Sequence, residues 1–181
     1  MPVWGNKDIV LYHGTDDISV GAQGQRPGYG LSLTINLAHC RPFTDFGQGF
    51  YCTTSLHQAQ QWANARIVRT LAPTGTARCA IVLEFGLSRD WLASLETLAF
   101  VRPINDFWDL VNDCRNGFTP HQRMAPHNVC YDVVYGPVTI WPQRLVIQDC
   151  DQISFHTQRA VRGLKAPVIH STGSPANGGM F

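Results

Sequence analysis

The amino-acid sequence predicts one α+β domain, residues 1–168, followed by a short tail. The chain of 181 residues has the length of a single domain, and its 44% hydrophobic side chains suffice for a core. Strand-type and helix-type patterns follow one another along most of the chain. Residues 169–181 are rich in Gly, Ser, Pro and Asn, which predicts a flexible C-terminal tail.

The first half of the chain predicts a strand, a long loop, a second strand and a helix. Residues 8–13 are mostly apolar and predict a buried strand that Gly14 closes. Residues 16–49 are rich in glycine and predict a loop with at most one short helix. A strand is predicted at 50–53, and Ser55 then starts a helix, with a glutamine three residues later completing a capping box.

The second half predicts four further strands and three helices. Ser88 caps a helix whose apolar positions continue to Ala99, and Gly117 ends the next one. The predicted strands are 80–85, 130–135, 145–148 and 152–156, and the predicted helices are 88–99, 105–116 and 157–164.

Charge and composition exclude several classes of protein. With 14 basic and 13 acidic side chains the net charge is +1, so no overall field attracts nucleic acid or an anionic membrane. No apolar run approaches the roughly 20 residues that span a bilayer, and no secretory signal pattern opens the chain. We therefore expect a cytoplasmic protein, or one delivered into a target cell without a recognisable signal peptide.

The six cysteines stand singly along the chain. None forms a C-x-x-C pair, so a zinc site is not expected, and no metal cofactor is predicted. Several lie in apolar segments, which favours reduced thiols in the core over three disulfides.

Three segments carry residue types suited to ligand chemistry, and none is specific alone. Tyr12-His-Gly-Thr15 ends a strand, where a glycine lets a ligand approach the backbone; the alternative is a simple turn with a surface histidine. Asp45-Phe-Gly-Gln-Gly-Phe-Tyr51 precedes the helix that carries Trp62; the alternative is that its aromatic residues belong to the core. Gln152-Ile-Ser-Phe-His-Thr157 is a polar-headed strand; the alternative is an ordinary half-exposed strand.

Their order along the chain resembles the diphtheria-toxin-like ADP-ribosyltransferases, which include the poly(ADP-ribose) polymerases. More narrowly, it is similar to a bacterial family of unknown function placed in that superfamily. The matching segments, which span nearly the whole predicted domain, are 12–14, 45–53, 131–138 and 152–157. The resemblance implies an ADP-ribosyltransferase-like domain with split antiparallel β-sheets flanked by helices.

The resemblance also implies an NAD site. His13 would bond a ribose of NAD, and the backbone of Gly14 would hold the nicotinamide carboxamide. Tyr51 would stack on the nicotinamide ring, with Trp62 on its other side. Thr15 would contact the adenosine ribose.

Four further positions bear on the implied NAD site. Ala59 stands where related enzymes have a serine that bonds the carboxamide, so this contact is missing. Arg26 and Arg41 in the glycine-rich loop are candidates for the NAD pyrophosphate, and His156 in the last strand is a candidate neighbour of the site.

The sequence departs from the family's catalytic triad of His, Tyr and Glu. Gln152 heads the strand where the glutamate is expected, so the predicted catalytic set is His13, Tyr51 and Gln152. The chain has only two glutamates, at 84 and 96, and neither fits that position by sequence order. Asp132 is the aspartate to test first, although a role in a turn or helix cap fits it equally; Asp149 and Asp151 are the other candidates.

We expect a mono-ADP-ribosyltransferase that cleaves NAD as its substrate, acts on a protein or nucleic-acid acceptor, and has no membrane partner. Such domains often serve as toxins or effectors, so an antitoxin or immunity protein is an expected partner. Two alternatives stay open. One is a module that binds NAD or ADP-ribose with little or no turnover; the other is an RNA 2′-phosphotransferase, which the glycine–aromatic run at 45–51 fits less well.

Overall fold

Strands and helices are interspersed along the described parts of the chain, residues 5–69, 78–118 and 130–181 of a computed structural model. Their mixture confirms the predicted α+β class. The strands in these parts are β1 (Ile9–Asp16), β2 (Phe50–Cys52), β3 (Ala80–Leu87), β4 (Thr97–Ala99), β5 (Val133–Thr139), β6 (Val146–Phe155) and β7 (Val168–Thr172). The helices are α1 (Leu56–Arg69), α2 (Arg89–Ala93), α3 (Asn105–Arg115) and α4 (Gln158–Val161), with short 3₁₀ turns at Leu37–His39 and Pro175–Asn177.

The strands form two sheets. One sheet has the order β1-β3-β7, and its strand pairs are antiparallel. The other has the order β2-β6-β5-β4, in which β5 pairs antiparallel to β6 and parallel to β4. The structure divides into two compact units: a first unit of residues 1–7, 35–51 and 88–163, and a second unit of residues 8–34, 52–87 and 164–181.

In the second unit, β1 is longer than predicted. It pairs with β3 residue by residue from Ile9 opposite Leu87 to Asp16 opposite Ala80. The prediction that Gly14 closes the strand is therefore wrong, because β3 provides partners for the backbone beyond it. The predicted start of α1 is confirmed, since the Ser55 hydroxyl accepts a hydrogen bond from the amide of the residue three positions on, at 3.3 Å.

The C-terminal segment also belongs to the second unit. Residues 168–172 form β7 against β3, and the side chain of Ile169 is fully buried. The amide of Phe181 donates to the side chain of Asn64 in α1, at 2.9 Å. The prediction of a flexible tail over 169–181 is therefore wrong. Most residues of this stretch are small or polar, which is typical of a tail, and the apolar run that forms β7 is too short to show in its composition.

In the first unit, three predicted boundaries are corrected by strand pairing. The helix capped by Ser88 stops at Ala93, because Thr97–Ala99 pairs with the start of β5 instead. The strand predicted at 130–135 starts at residue 133 and continues through Gly136 to Thr139. The two short strands predicted at 145–148 and 152–156 are one strand, β6.

The core of the first unit is aromatic. Phe46 and Phe107 are fully buried and meet edge to face, with 6.2 Å between ring centroids. The predicted end of α3 is confirmed: Gly117 takes a positive φ of 84°, a left-handed conformation common after a helix. All six cysteines are free thiols, and Cys52 and Cys114 are buried as expected of core thiols.

Among residues 5–69, 78–118 and 130–181, no helix is long and apolar enough to cross a membrane. No group of three or more His, Cys, Asp or Glu side chains among them is arranged to hold a metal ion.

Candidate functional site

The predicted site residues fall in both units. His13, Gly14, Thr15 and Trp62 belong to the second unit, whereas Tyr51 and Gln152 belong to the first.

In the second unit, Gly14 presents its backbone at the edge of a sheet. β1 is an edge strand. The amide of Tyr12 donates to the carbonyl of Thr53 at 2.8 Å, and the amide of Thr53 donates back to Tyr12 at 2.9 Å. Because backbone groups alternate in direction along a strand, the N–H and C=O of Gly14 also point away from β3. A ligand amide at this edge would find one donor and one acceptor on the same residue.

The missing side chain of Gly14 serves the fold. A Cβ there would lie 2.0 Å from the carbonyl oxygen of Ala59 and 2.8 Å from the amide nitrogen of Ala63, both in α1. The expectation that the bare Cα admits a ligand is therefore corrected, because α1 occupies that space. The feature open to a ligand is the backbone edge.

The neighbours of Gly14 differ in accessibility. Side chains alternate along β1, so His13 and Thr15 lie on the opposite face from Gly14. His13 is half-buried, whereas Thr15 is buried. Trp62 is half-buried on α1, one residue from the alanine that packs against Gly14. His13 and Trp62 thus remain accessible, and Thr15 does not.

Asp16, which sequence reasoning missed, ties the end of β1 to α1. Its fully buried carboxylate accepts hydrogen bonds from the Arg66 guanidinium at 2.5 Å and from the Ser19 amide and hydroxyl at 2.8 and 2.7 Å. Burial by itself raises the pKa of Asp16, but the hydrogen bonds from Arg66 and Ser19 outweigh it and lower the pKa overall.

This lowered pKa gives a pH prediction. The folded state holds Asp16 ionised more strongly than the unfolded chain does, so Asp16 stabilises the fold above the unfolded pKa. That contribution is lost as the pH falls through the folded pKa. We expect the chemical-denaturation midpoint to fall on acidification below about pH 4, and Asp16→Asn to show a smaller acid dependence from a lower starting stability. Equal acid dependence in the two proteins would contradict this account.

A cavity of about 670 Å³ lies in the second unit, at the carboxyl end of β1. Its lining includes Asp17, Ile67, Arg78 and Gly173. The Nε atom of Arg78 is buried and has no hydrogen-bond partner, so a ligand oxygen there would satisfy it. No motif marked Arg78. The predicted phosphate ligand on this loop, Arg26, is exposed and does not line the cavity.

In the first unit, the hydroxyl of Tyr51 anchors its own loop. It accepts hydrogen bonds from the Thr44 hydroxyl at 2.7 Å and the Phe46 amide at 3.0 Å, and donates to the Gly47 carbonyl at 2.9 Å. Burial raises the pKa of this hydroxyl far above its usual value. Its ring lies nearly parallel to that of Phe46, with 6.4 Å between centroids. Tyr51 therefore has a clear role in the fold, whatever it does with a ligand.

The glycine pattern near Tyr51 also has a packing cause. A Cβ on Gly49 would lie 2.6 Å from the Ser154 hydroxyl and 2.8 Å from Nδ1 of His156. The His156 ring is hydrogen-bonded to Ser154 at 2.8 Å and to the Gln48 carbonyl at 2.9 Å. It meets the Tyr51 ring edge-on at 6.5 Å. His156 thus lies beside Tyr51, and both of its ring nitrogens are hydrogen-bonded.

Gln152 is buried in a polar cluster around Asp45. Its Nε2 atom donates to the Asp45 carboxylate at 2.6 Å and to the Pro137 carbonyl at 3.0 Å. The same carboxylate accepts from the Thr139 amide at 3.0 Å and hydroxyl at 2.7 Å, and from Arg115 Nε and Nη2 at 2.9 and 2.6 Å. The position therefore requires a donor, which glutamine provides and an ionised glutamate lacks. Sequence reasoning missed Arg115 and Thr139, which lie far from Asp45 along the chain.

Asp132 has the structural role that its sequence left open. Its carboxylate accepts from the Glu96 amide at 3.1 Å and from the Thr157 hydroxyl, and Arg159 lies 3.6 Å away. The same Thr157 hydroxyl accepts from the amide of Ala160, which caps α4. Of the other two aspartates considered, Asp149 is exposed and Asp151 is half-buried.

Comparison with known proteins adds a family match. A family model described as "Protein of unknown function (DUF3990)" matches residues 31–140. The match includes the motif segments at 45–53 and 131–138. No curated protein matches the chain.

Proposed function

The chain belongs to the DUF3990 family of proteins of unknown function, and from its candidate site we propose that it cleaves NAD and transfers ADP-ribose to a macromolecule. The family match covers residues 31–140 and carries no activity of its own. The proposal therefore rests on the chemistry of the second unit and on the resemblance of its motifs to ADP-ribosyltransferases.

The observation that carries the proposal is the backbone edge at Gly14, where the N–H and C=O point away from β3. A carboxamide has an N–H donor and a carbonyl acceptor side by side, which complement the C=O and N–H of one edge residue. The half-buried Trp62 on the helix that packs against Gly14 offers an aromatic surface for a flat ring. Nicotinamide combines both features.

The cavity in the same unit supports a dinucleotide ligand. It begins at Asp17, three residues after Gly14, and its volume of about 670 Å³ is typical of small-molecule sites. The unpartnered Nε–H of Arg78 would donate to an oxygen of the pyrophosphate. In this arrangement nicotinamide lies at the edge of β1, and the rest of NAD extends toward the cavity.

The reaction needs few ionisable groups. The bond between ribose C1′ and the pyridinium nitrogen breaks, and its electron pair goes to the nitrogen, which makes nicotinamide a neutral leaving group. The acceptor nucleophile then bonds to C1′ and loses its proton to solvent. Holding the leaving group by its amide and ring lowers the barrier through orientation.

Binding tests the site directly. We expect NAD to bind the purified protein in titration calorimetry, and His13→Asn to weaken binding by about tenfold, the effect of losing one hydrogen bond to ribose. His57→Asn serves as the control, because His57 is exposed on α1 in the same unit. Absence of heat with NAD for the folded wild-type protein, or equal affinity of wild type and His13→Asn, would contradict the proposed site.

A second candidate function is a binding module without turnover. The hydrogen bond from Gln152 to Asp45 favours this module. Gln152 is neutral, so it brings no negative charge that could stabilise a ribose cation. The module would bind NAD with the same dependence on His13 but release no nicotinamide over hours.

A further inference from the structure

Three titratable side chains form a row across the three-stranded sheet of the second unit. Tyr12 of β1 lies directly opposite Glu84 of β3. Nε2 of His170, in β7, lies 3.9 Å from a carboxylate oxygen of Glu84. The rings of Tyr12 and His170 meet edge-on, with 5.2 Å between centroids. We refer to Tyr12, Glu84 and His170 as the cross-strand row.

The carboxylate of Glu84 is accessible and weakly engaged. Its side chain is 35% exposed. The distance to His170 is longer than a hydrogen bond, and in the described part of the chain no hydrogen bond to this carboxylate is found. By contrast, the carboxylates of Asp16, Asp45 and Asp132 each accept several hydrogen bonds.

Glu84 lies on the face of the sheet toward which a side chain at position 14 would point. Residues directly opposite in a pair share a face, and so do residues two apart in a strand. Tyr12, Gly14 and Glu84 therefore share one face, with Gly14 and Glu84 as diagonal neighbours about 7–8 Å apart. The cross-strand row thus lies on the side of Gly14 away from the cavity, which starts beyond β1.

In the proposed arrangement this is the carboxamide end of nicotinamide. We propose that Glu84 makes the site select a neutral carboxamide over a carboxylate, an inference that rests on the proposed NAD site. Nicotinate carries a negative charge where nicotinamide carries an amide. The carboxylate of Glu84 would repel that charge through space, without contact.

The test compares NAD with deamido-NAD, the dinucleotide in which nicotinate replaces nicotinamide, by titration calorimetry. We expect wild type to bind deamido-NAD roughly tenfold more weakly, because the ligand at the outer edge of β1 lies one strand spacing beyond Gly14, and this is the factor given by two unit charges about 12 Å apart at an effective dielectric constant of about 20. Glu84→Gln keeps the size of the side chain and removes its charge, so it should bring the two affinities within about threefold. Glu96→Gln is the matched control, since it alters the chain's other glutamate, which is exposed in the first unit.

The possible outcomes separate the role of Glu84 from the proposed NAD site. Wild-type discrimination that Glu84→Gln removes and Glu96→Gln retains supports the role of Glu84. Equal binding of the two dinucleotides by wild type, or unchanged discrimination in a folded Glu84→Gln, overturns it and leaves the NAD site standing. Failure of wild type to bind either dinucleotide overturns the proposed function and this inference together.

Discussion

Replacing Gln152 with glutamate is expected to destabilise the protein by about 3 kcal/mol. The glutamine amide donates to the buried carboxylate of Asp45 at 2.6 Å. A glutamate would remove that donor and place a second carboxylate against the first. The guanidinium of Arg115 already serves Asp45 and would have to balance two negative charges.

This destabilisation should depend on pH in a specific way. Two carboxylates in contact raise the pKa of one of them, so the variant gains stability relative to wild type as the pH falls and a proton binds. Urea unfolding of Gln152→Glu at pH 8 and pH 5 measures the effect. Gln148→Glu, on the same strand but exposed, is the control and should change stability little. Wild-type stability of Gln152→Glu at pH 8 would show that the Asp45 cluster is not formed as described.

Gly14→Ala is expected to cost about 3 kcal/mol or more, because the added methyl group meets backbone rather than a movable side chain. The new Cβ would lie 2.0 Å from the carbonyl oxygen of Ala59, so α1 must shift away from β1. A shift of α1 would also move the Arg66 partner of Asp16. Thermal and urea unfolding measure the loss.

Gly30→Ala provides the control for this substitution. A Cβ on Gly30 meets nothing within 4 Å, and the residue does not take a positive φ. Its replacement should change stability by less than about 0.5 kcal/mol. Similar small effects at positions 14 and 30 would contradict the packing of α1 on β1.

Local sequence signals predicted most of the elements but few of their ends. The caps at Ser55 and Ser88 are confirmed because a cap depends on residues within one turn. The ends of β1 and the existence of β4 and β7 depend on partners distant in sequence. Val133–Tyr135 pairs with β4, and residues 81–84 pair with β7, so no local pattern marks these strands.

The candidate site shows the same limit. The sequence identified Asp45, Gln152 and Gly14 as positions of interest, but not what each one contacts. Glycine at position 14 is typical of an opening for a ligand, whereas in the fold it admits a helix. Glutamine at position 152 indicates a substitute for a catalytic acid, whereas it bonds an aspartate 107 positions earlier in the chain. Such contacts depend on strand register and helix packing, which single-sequence patterns do not specify.

The fold changes what we expect of the two glutamates in the chain. Sequence order excluded both glutamates from the site. The register of β1 and β3 nevertheless places Glu84 opposite the residue that precedes His13. The carboxylate that we propose selects the carboxamide therefore comes from a strand that no motif includes.

Release of nicotinamide from NAD by the purified protein, followed by chromatography over several hours, decides whether the protein is a transferase. We expect nicotinamide to accumulate in proportion to time and protein concentration, and its release to slow in His13→Asn but not in His57→Asn. Bound NAD that stays intact over the same period, with a folded protein and added candidate acceptors, would contradict the transferase claim.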